Sequence, residues 1–103
     1  MLYVIRYVFA DGIDDARAAA RTGHLEYLQA AGTRLKLAGP IDAGHQDTDS
    51  EASETPEGSL LIIDADSLTA ARLFAQNDPY YKAEIVETLK IKAFKAVIGD
   101  WAL

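Results

Sequence analysis

Leu2 to Phe9 is apolar at almost every position, broken only by Arg6, and reads as a strand buried on both faces. Asp11-Gly12 marks a turn, and Asp14 or Asp15 is placed to cap the helix that follows. From Ala16 to Ala31 the residues Ala16, Ala20, His24, Tyr27, Leu28 and Ala31 share one helical face, so His24 is an imidazole turned inward. Arg17, Arg21 and Glu26 lie off that stripe, and Gly32 suits a left-handed helix end. Leu35, Leu37 and Gly39 alternate with Lys36 and Ala38, the pattern of a strand with one wetter face. Gly39-Pro40 interrupts it, and a proline that cannot donate to a ladder assigns this strand to an edge. Gly58 to Ala65, through Leu60-Leu61-Ile62-Ile63, is a second strand apolar on both faces. Ser67 caps a helix whose apolar face is Leu68, Ala71 and Phe74 or Ala75, ending around Asp78-Pro79. Val86 to Val97 reads as a long strand, with Leu89, Ile91 and Ala93 alternating against Lys90 and Lys92.

The order is β-α-β-β-α-β, which predicts an α+β, ferredoxin-like fold with a four-stranded antiparallel sheet. In that arrangement the first and third strands are central, matching the two apolar ones, and the lysine-bearing strands protect the edges. Two helices cover only one side of such a sheet. Central strands apolar on both sides therefore predict a second cover, most simply another copy of the chain packed sheet to sheet as a homodimer. The tail Gly99-Asp100-Trp101-Ala102-Leu103 is a candidate for contact with that partner.

The chain has 103 residues, the length of one domain spanning 1–103. It carries no cysteine, which excludes disulfides, thiolate metal sites and a thiol nucleophile. The start has no basic flank or cleavage site of a signal peptide, and no apolar run reaches the ~20 residues of a bilayer span. A cytoplasmic protein without a membrane partner is expected. The net charge of −6 comes from Asp42, Asp47, Asp49, Glu51, Glu54 and Glu57, and the rest of the chain is balanced. Residues 44–56 thus read as an acidic, mobile loop. With no basic stripe, no nucleic-acid partner is expected.

His24 and Asp78 are the residues with chemical promise. An imidazole titrates near neutrality and needs a partner to fix its tautomer; a core histidine bonded to backbone or to Tyr27 is the structural alternative. Asp78 ends one helix while His24 lies mid-way along the other, and both helices lie on one face of the predicted sheet. Asp78 as a simple turn residue before proline is the alternative there. Arg6 has two open readings, a hold on a substrate anion or an ion pair at a dimer interface. His45, Asp47, Asp49 and Glu51 alternate as oxygen and nitrogen donors, but a calcium loop read from Asp47 has Ala52 where glycine belongs and Gly58 where glutamate belongs. A solvated loop is expected instead of a metal site. No phosphate-cradling glycine pattern or nucleophile elbow occurs.

Met1-Leu2-Tyr3-Val4-Ile5, His24-Leu25 with Leu28, Ala38-Gly39-Pro40-Ile41, Asp78-Pro79-Tyr80 and Ile91-Lys92-Ala93-Phe94-Lys95 together resemble the YciI-like (YCII-related) family of the dimeric α+β barrel superfamily. The resemblance spans nearly the whole chain except the acidic loop. Where the family motif often has proline in the last strand, this chain has Ala93. The resemblance implies a sheet-to-sheet dimer and an active site on a His–Asp pair, His24 and Asp78 here. It implies a cofactor-independent enzyme of the lyase or isomerase kind, with His24 removing a proton from a small organic ligand, as in elimination on ring substrates suggested for some relatives. Tyr80 and Tyr27 are then candidates for substrate contact, with core packing as the other reading for both. A non-catalytic small-molecule binding or accessory module, and a cofactor-free monooxygenase, are the competing functions.

Overall fold

The computed structural model describes residues 1–43 and 56–102. Residues 44–55 of the expected acidic loop, with His45, Asp47, Asp49 and Glu51 of the calcium-loop comparison, lie outside the described residues, while Pro56, its expected last residue, begins a strand. The elements are β1 (Leu2–Phe9), α1 (Asp14–Ala30), a 3₁₀ turn (Gly32–Arg34), β2 (Leu35–Asp42), β3 (Pro56–Asp64), α2 (Leu68–Gln76), α3 (Pro79–Lys82) and β4 (Val86–Phe94). The strands form one antiparallel sheet in the order β2-β3-β1-β4, so the two apolar strands are central. This is the ferredoxin-like α+β arrangement.

Register decides which side chains meet the helices. Tyr3, Ile5, Tyr7 and Phe9 of β1 are buried beneath them, in line with Leu61 and Ile63 of β3 and with Leu89 and Ile91 of β4. The even positions Val4, Arg6 and Val8 face the other way, beside Leu60, Ile62, Lys90 and Lys92. Across β1 and β3 the backbones close tightly at Gly58, where a Cβ would run into the Tyr7 carbonyl. Only glycine allows that pairing.

Several local expectations change. Neither Asp14 nor Asp15 caps α1; Ile13 is the N-cap without a side-chain bond. Both aspartates lie in the first turn, where their charge complements the helix dipole. Gly32 does take the left-handed conformation, φ 60°. Gly39-Pro40 does not interrupt β2. The strand runs through to Asp42, because Pro40 sits on an edge strand. Ser67 caps α2 as expected, its Oγ accepting from the Ala70 N–H at 3.0 Å. Leu68 is exposed and Ala71 and Ala75 carry the packed face. Pro79 ends α2 but also opens α3, standing in its first turn where a missing N–H costs nothing. β4 stops at Phe94 rather than Val97, and the chain beyond it leaves the sheet.

Candidate active site

Asp78 is the N-cap of α3, and its Oδ1 accepts the Tyr80 backbone N–H at 2.9 Å. This local bond aims the carboxylate back into the core, where it is fully buried. Tyr7 reaches it from β1, its hydroxyl donating to Oδ2 at 2.9 Å. His24 reaches it from α1, with Nδ1 at 2.8 Å from Oδ1 and 2.9 Å from Oδ2. Three elements distant in sequence therefore converge on one carboxylate.

A buried carboxylate without hydrogen-bond donors is costly, and this one has three. A carboxylate only accepts, so Nδ1 carries the proton and donates it, which leaves the lone pair on Nε2. The ring is also clamped from behind by Tyr80, stacked at 3.7 Å between centroids and 8° from parallel. Phe9 packs edge-on against Tyr80 at 5.7 Å. Burial first, then the charge of Asp78 and the bond to it, hold the Tyr7 hydroxyl well above the ordinary tyrosine range. Tyr7 stays a neutral donor.

His24 lines a cavity of about 110 Å³ between α1 and the β2–β3 side of the sheet. Arg21 and Leu28 line it from the helix and Pro40, Ser59 and Leu61 from the sheet. Among the described residues no protein group bonds Nε2, so its lone pair is available. The arrangement leaves an oriented imidazole at the wall of a small chamber.

The other expected contacts fall elsewhere. Tyr80 lies behind the imidazole, buried, and is absent from the cavity wall. Tyr27 donates its hydroxyl to the Phe74 carbonyl at 2.7 Å and stacks on Phe74, so it packs α1 against α2. Burial and the nearby charge of Asp78 raise its pKa. Arg6 points to the opposite face of the sheet, exposed, with Glu57 at 3.4 Å. The strand alternation that buries Tyr7 excludes Arg6 from the site. Tyr7, Arg21 and Ser59 were not among the expected site residues. The signal for Tyr7 was a hydroxyl at an inward position of an apolar strand, which must find a partner. Among the described residues no cluster of histidine and carboxylate side chains is placed to hold a metal.

The model of the YCII-related domain matches residues 1–95. The chain belongs to the YCII-related family. Two relatives in that family are the protein YciI of Escherichia coli, 36% identical over 99 residues, and an uncharacterised Haemophilus influenzae protein, 38% identical over 102. Each match covers 94% of this chain and 99% of the relative. Among solved structures, the chain resembles 5-chloro-2-hydroxyhydroquinone dehydrochlorinase of Burkholderia phenoliruptrix in complex with 2,5-dihydroxybenzoquinone. That match has a TM-score of 0.80 at 27% identity and covers 94% of this chain and 96% of that one. A protein from Agrobacterium tumefaciens shares the fold, with a TM-score of 0.53 at 15% identity over 94% of each chain. No helix among the described residues of this YCII-family chain is long and apolar enough to cross a membrane.

Proposed function

We propose that this YCII-family protein is a cofactor-independent lyase that removes a proton and a leaving group from a small oxygenated ring. His24 is the general base and Asp78 holds its tautomer and orientation. The observation that carries this reading is the double contact of Asp78 with Nδ1, at 2.8 and 2.9 Å, on a histidine that lines a cavity and whose Nε2 is unbonded among the described residues. The cavity, about 110 Å³, opens to solvent, so a substituted ring larger than that volume would sit partly outside it. The resemblance to a ring dehydrochlorinase supports the same chemistry. In the reaction proposed for this chain a hydroxyl proton of the ring's keto tautomer passes to Nε2 of His24. The electron pair left behind moves through the ring, and the carbon–halogen bond breaks with its pair on the halide. The net change is loss of one HX, with no external oxidant or reductant.

The test is chloride release from 5-chloro-2-hydroxyhydroquinone by wild type and His24→Ala, with folding checked by circular dichroism. Wild type should exceed buffer, and His24→Ala should lower kcat by about a hundredfold or more. Tight binding of the ring without any chloride release would favour a binding module and remove the lyase reading.

We further propose that two copies pair through the open face of the sheet. Val4, Leu37, Leu60 and Ile62 are only half-buried there, and Val97, Ile98 and Trp101 of the tail are 72%, 93% and 78% exposed. The tail and this face enclose a groove of about 1260 Å³, with Leu37, Ile62 and Phe94 on its walls. Light scattering should give a dimer at micromolar concentration and a monomer for Ile62→Asp. A monomeric wild type would remove the pairing.

A further inference from the structure

The cavity beside His24 holds two other polar groups that are unpaired among the described residues. Arg21 stands three residues before His24, one turn earlier on the same side of α1. Among the described residues its guanidinium makes no ion pair or hydrogen bond. Ser59 comes from β3 on the facing wall, 7% exposed, and its hydroxyl likewise has no partner among the described residues. Among the described residues no carboxylate lines the chamber. The nearest carboxylate on the His24 ring, Asp78, is fully engaged behind it by Tyr7, Tyr80 and His24.

We propose that Arg21 and Ser59 form an oxyanion site that makes this chamber selective for rings bearing an acidic hydroxyl, bound as the anion. Arg21 receives the ring oxygen that carries the negative charge and Ser59 donates to a second oxygen. The assignment rests on the reading of His24 as the base, and it names the substrate class of that same site. Proton removal leaves negative charge on the substrate, and a guanidinium at the wall stabilises it as it develops. Its planar fork suits a ring oxygen flanked by another, which a lysine ammonium would hold less specifically. The apolar walls, Leu28, Pro40 and Leu61, take the ring itself.

Calorimetric titration with two probes tests this: 2,5-dihydroxybenzoquinone, an acidic ring that is anionic at neutral pH, and hydroquinone, which is neutral there. Wild type should bind the anionic ring about tenfold or more tighter than the neutral one. Arg21→Gln should weaken the anionic probe by about ten- to a hundredfold and leave hydroquinone within about twofold. Arg21→Lys should fall between, and Ser59→Ala should cost the anionic probe about three- to tenfold. Arg21 is exposed on its helix, so the Arg21 variants keep the fold, and circular dichroism checks Ser59→Ala. Equal affinity of wild type for both rings, no binding of either, or an unchanged anionic affinity in Arg21→Gln would each overturn the assignment. The two readings separate cleanly. If His24→Ala abolishes chloride release while Arg21→Gln changes nothing, the base stands and the oxyanion site falls. If the charge preference is present but turnover is independent of His24, the reverse holds.

Discussion

Tyr7 and Arg6 are neighbours in β1 and belong to two different molecular environments. Tyr7 is fully buried under the helices, its hydroxyl bonded to Asp78 and its ring part of the core. Arg6 stands on the other face, exposed, beside Glu57 at 3.4 Å. On the covered face Nδ1 of His24 and the Asp78 carboxylate satisfy each other within hydrogen-bond distance. On the open face, half-buried aliphatic residues alternate with Arg6, Lys90 and Lys92. A single step along a strand thus separates a preorganised polar network from a half-buried aliphatic and basic face. The chemistry of this chain is concentrated where burial makes each hydrogen bond consequential.

That contrast can be broken from its strongest point. Asp78→Ala strips the acceptor from Tyr7, His24 and the Tyr80 N–H at once, leaving buried donors without partners. It should cost about 3 kcal/mol or more in urea unfolding. A loss under about 1 kcal/mol would mean that the network is not a fixed feature of the fold.

Tyr7→Phe removes one donor and keeps the ring, and should cost about 1.5–2 kcal/mol near neutral pH. Its pH dependence has a definite sign. Because the folded pKa of Tyr7 is raised above its ordinary value of 10.0, the stability that it contributes is fully present below that pH. It is lost as pH rises above it toward the folded value. The difference between wild type and Tyr7→Phe should therefore be constant below pH about 10 and shrink above it. A gap that widens in alkali would contradict the bond to Asp78.

Arg6→Ala is the smallest effect, within about 0.5 kcal/mol, because exposed pairs of this kind contribute little. A loss of 2 kcal/mol or more would place Arg6 in a network like that of Tyr7.

The fold was largely legible because hydrophobic periodicity reports burial directly. Continuous apolar runs at Leu2–Phe9 and Leu60–Ile63 mark central strands, and Pro40 and the β4 lysines mark edges. His24 was legible for the same reason, as the one imidazole on an apolar helical stripe. What the periodicity could not carry was contact at long range. Tyr7 meets Asp78 across 71 positions, and nothing local distinguishes its hydroxyl from that of Tyr3. Arg21 lies off the apolar stripe, yet the cavity beside His24 extends to that flank of the helix. Local competition explains the rest: the Asp78 side chain bonds the next turn's backbone, so a residue that reads as a helix end becomes a helix start. Strand alternation also decided against Arg6, whose apolar neighbours on both sides hid which face it takes.

The contact of Asp78 with Nδ1 sets the tautomer of His24, protonated on Nδ1 and bare on Nε2. Nitrogen-15 NMR of the imidazole, at a pH where the ring is neutral, reads this tautomer directly. Wild type should show a protonated Nδ1 and an unprotonated Nε2 for His24, with that preference weakened in Asp78→Asn. A ring carrying its proton on Nε2 in wild type would contradict it.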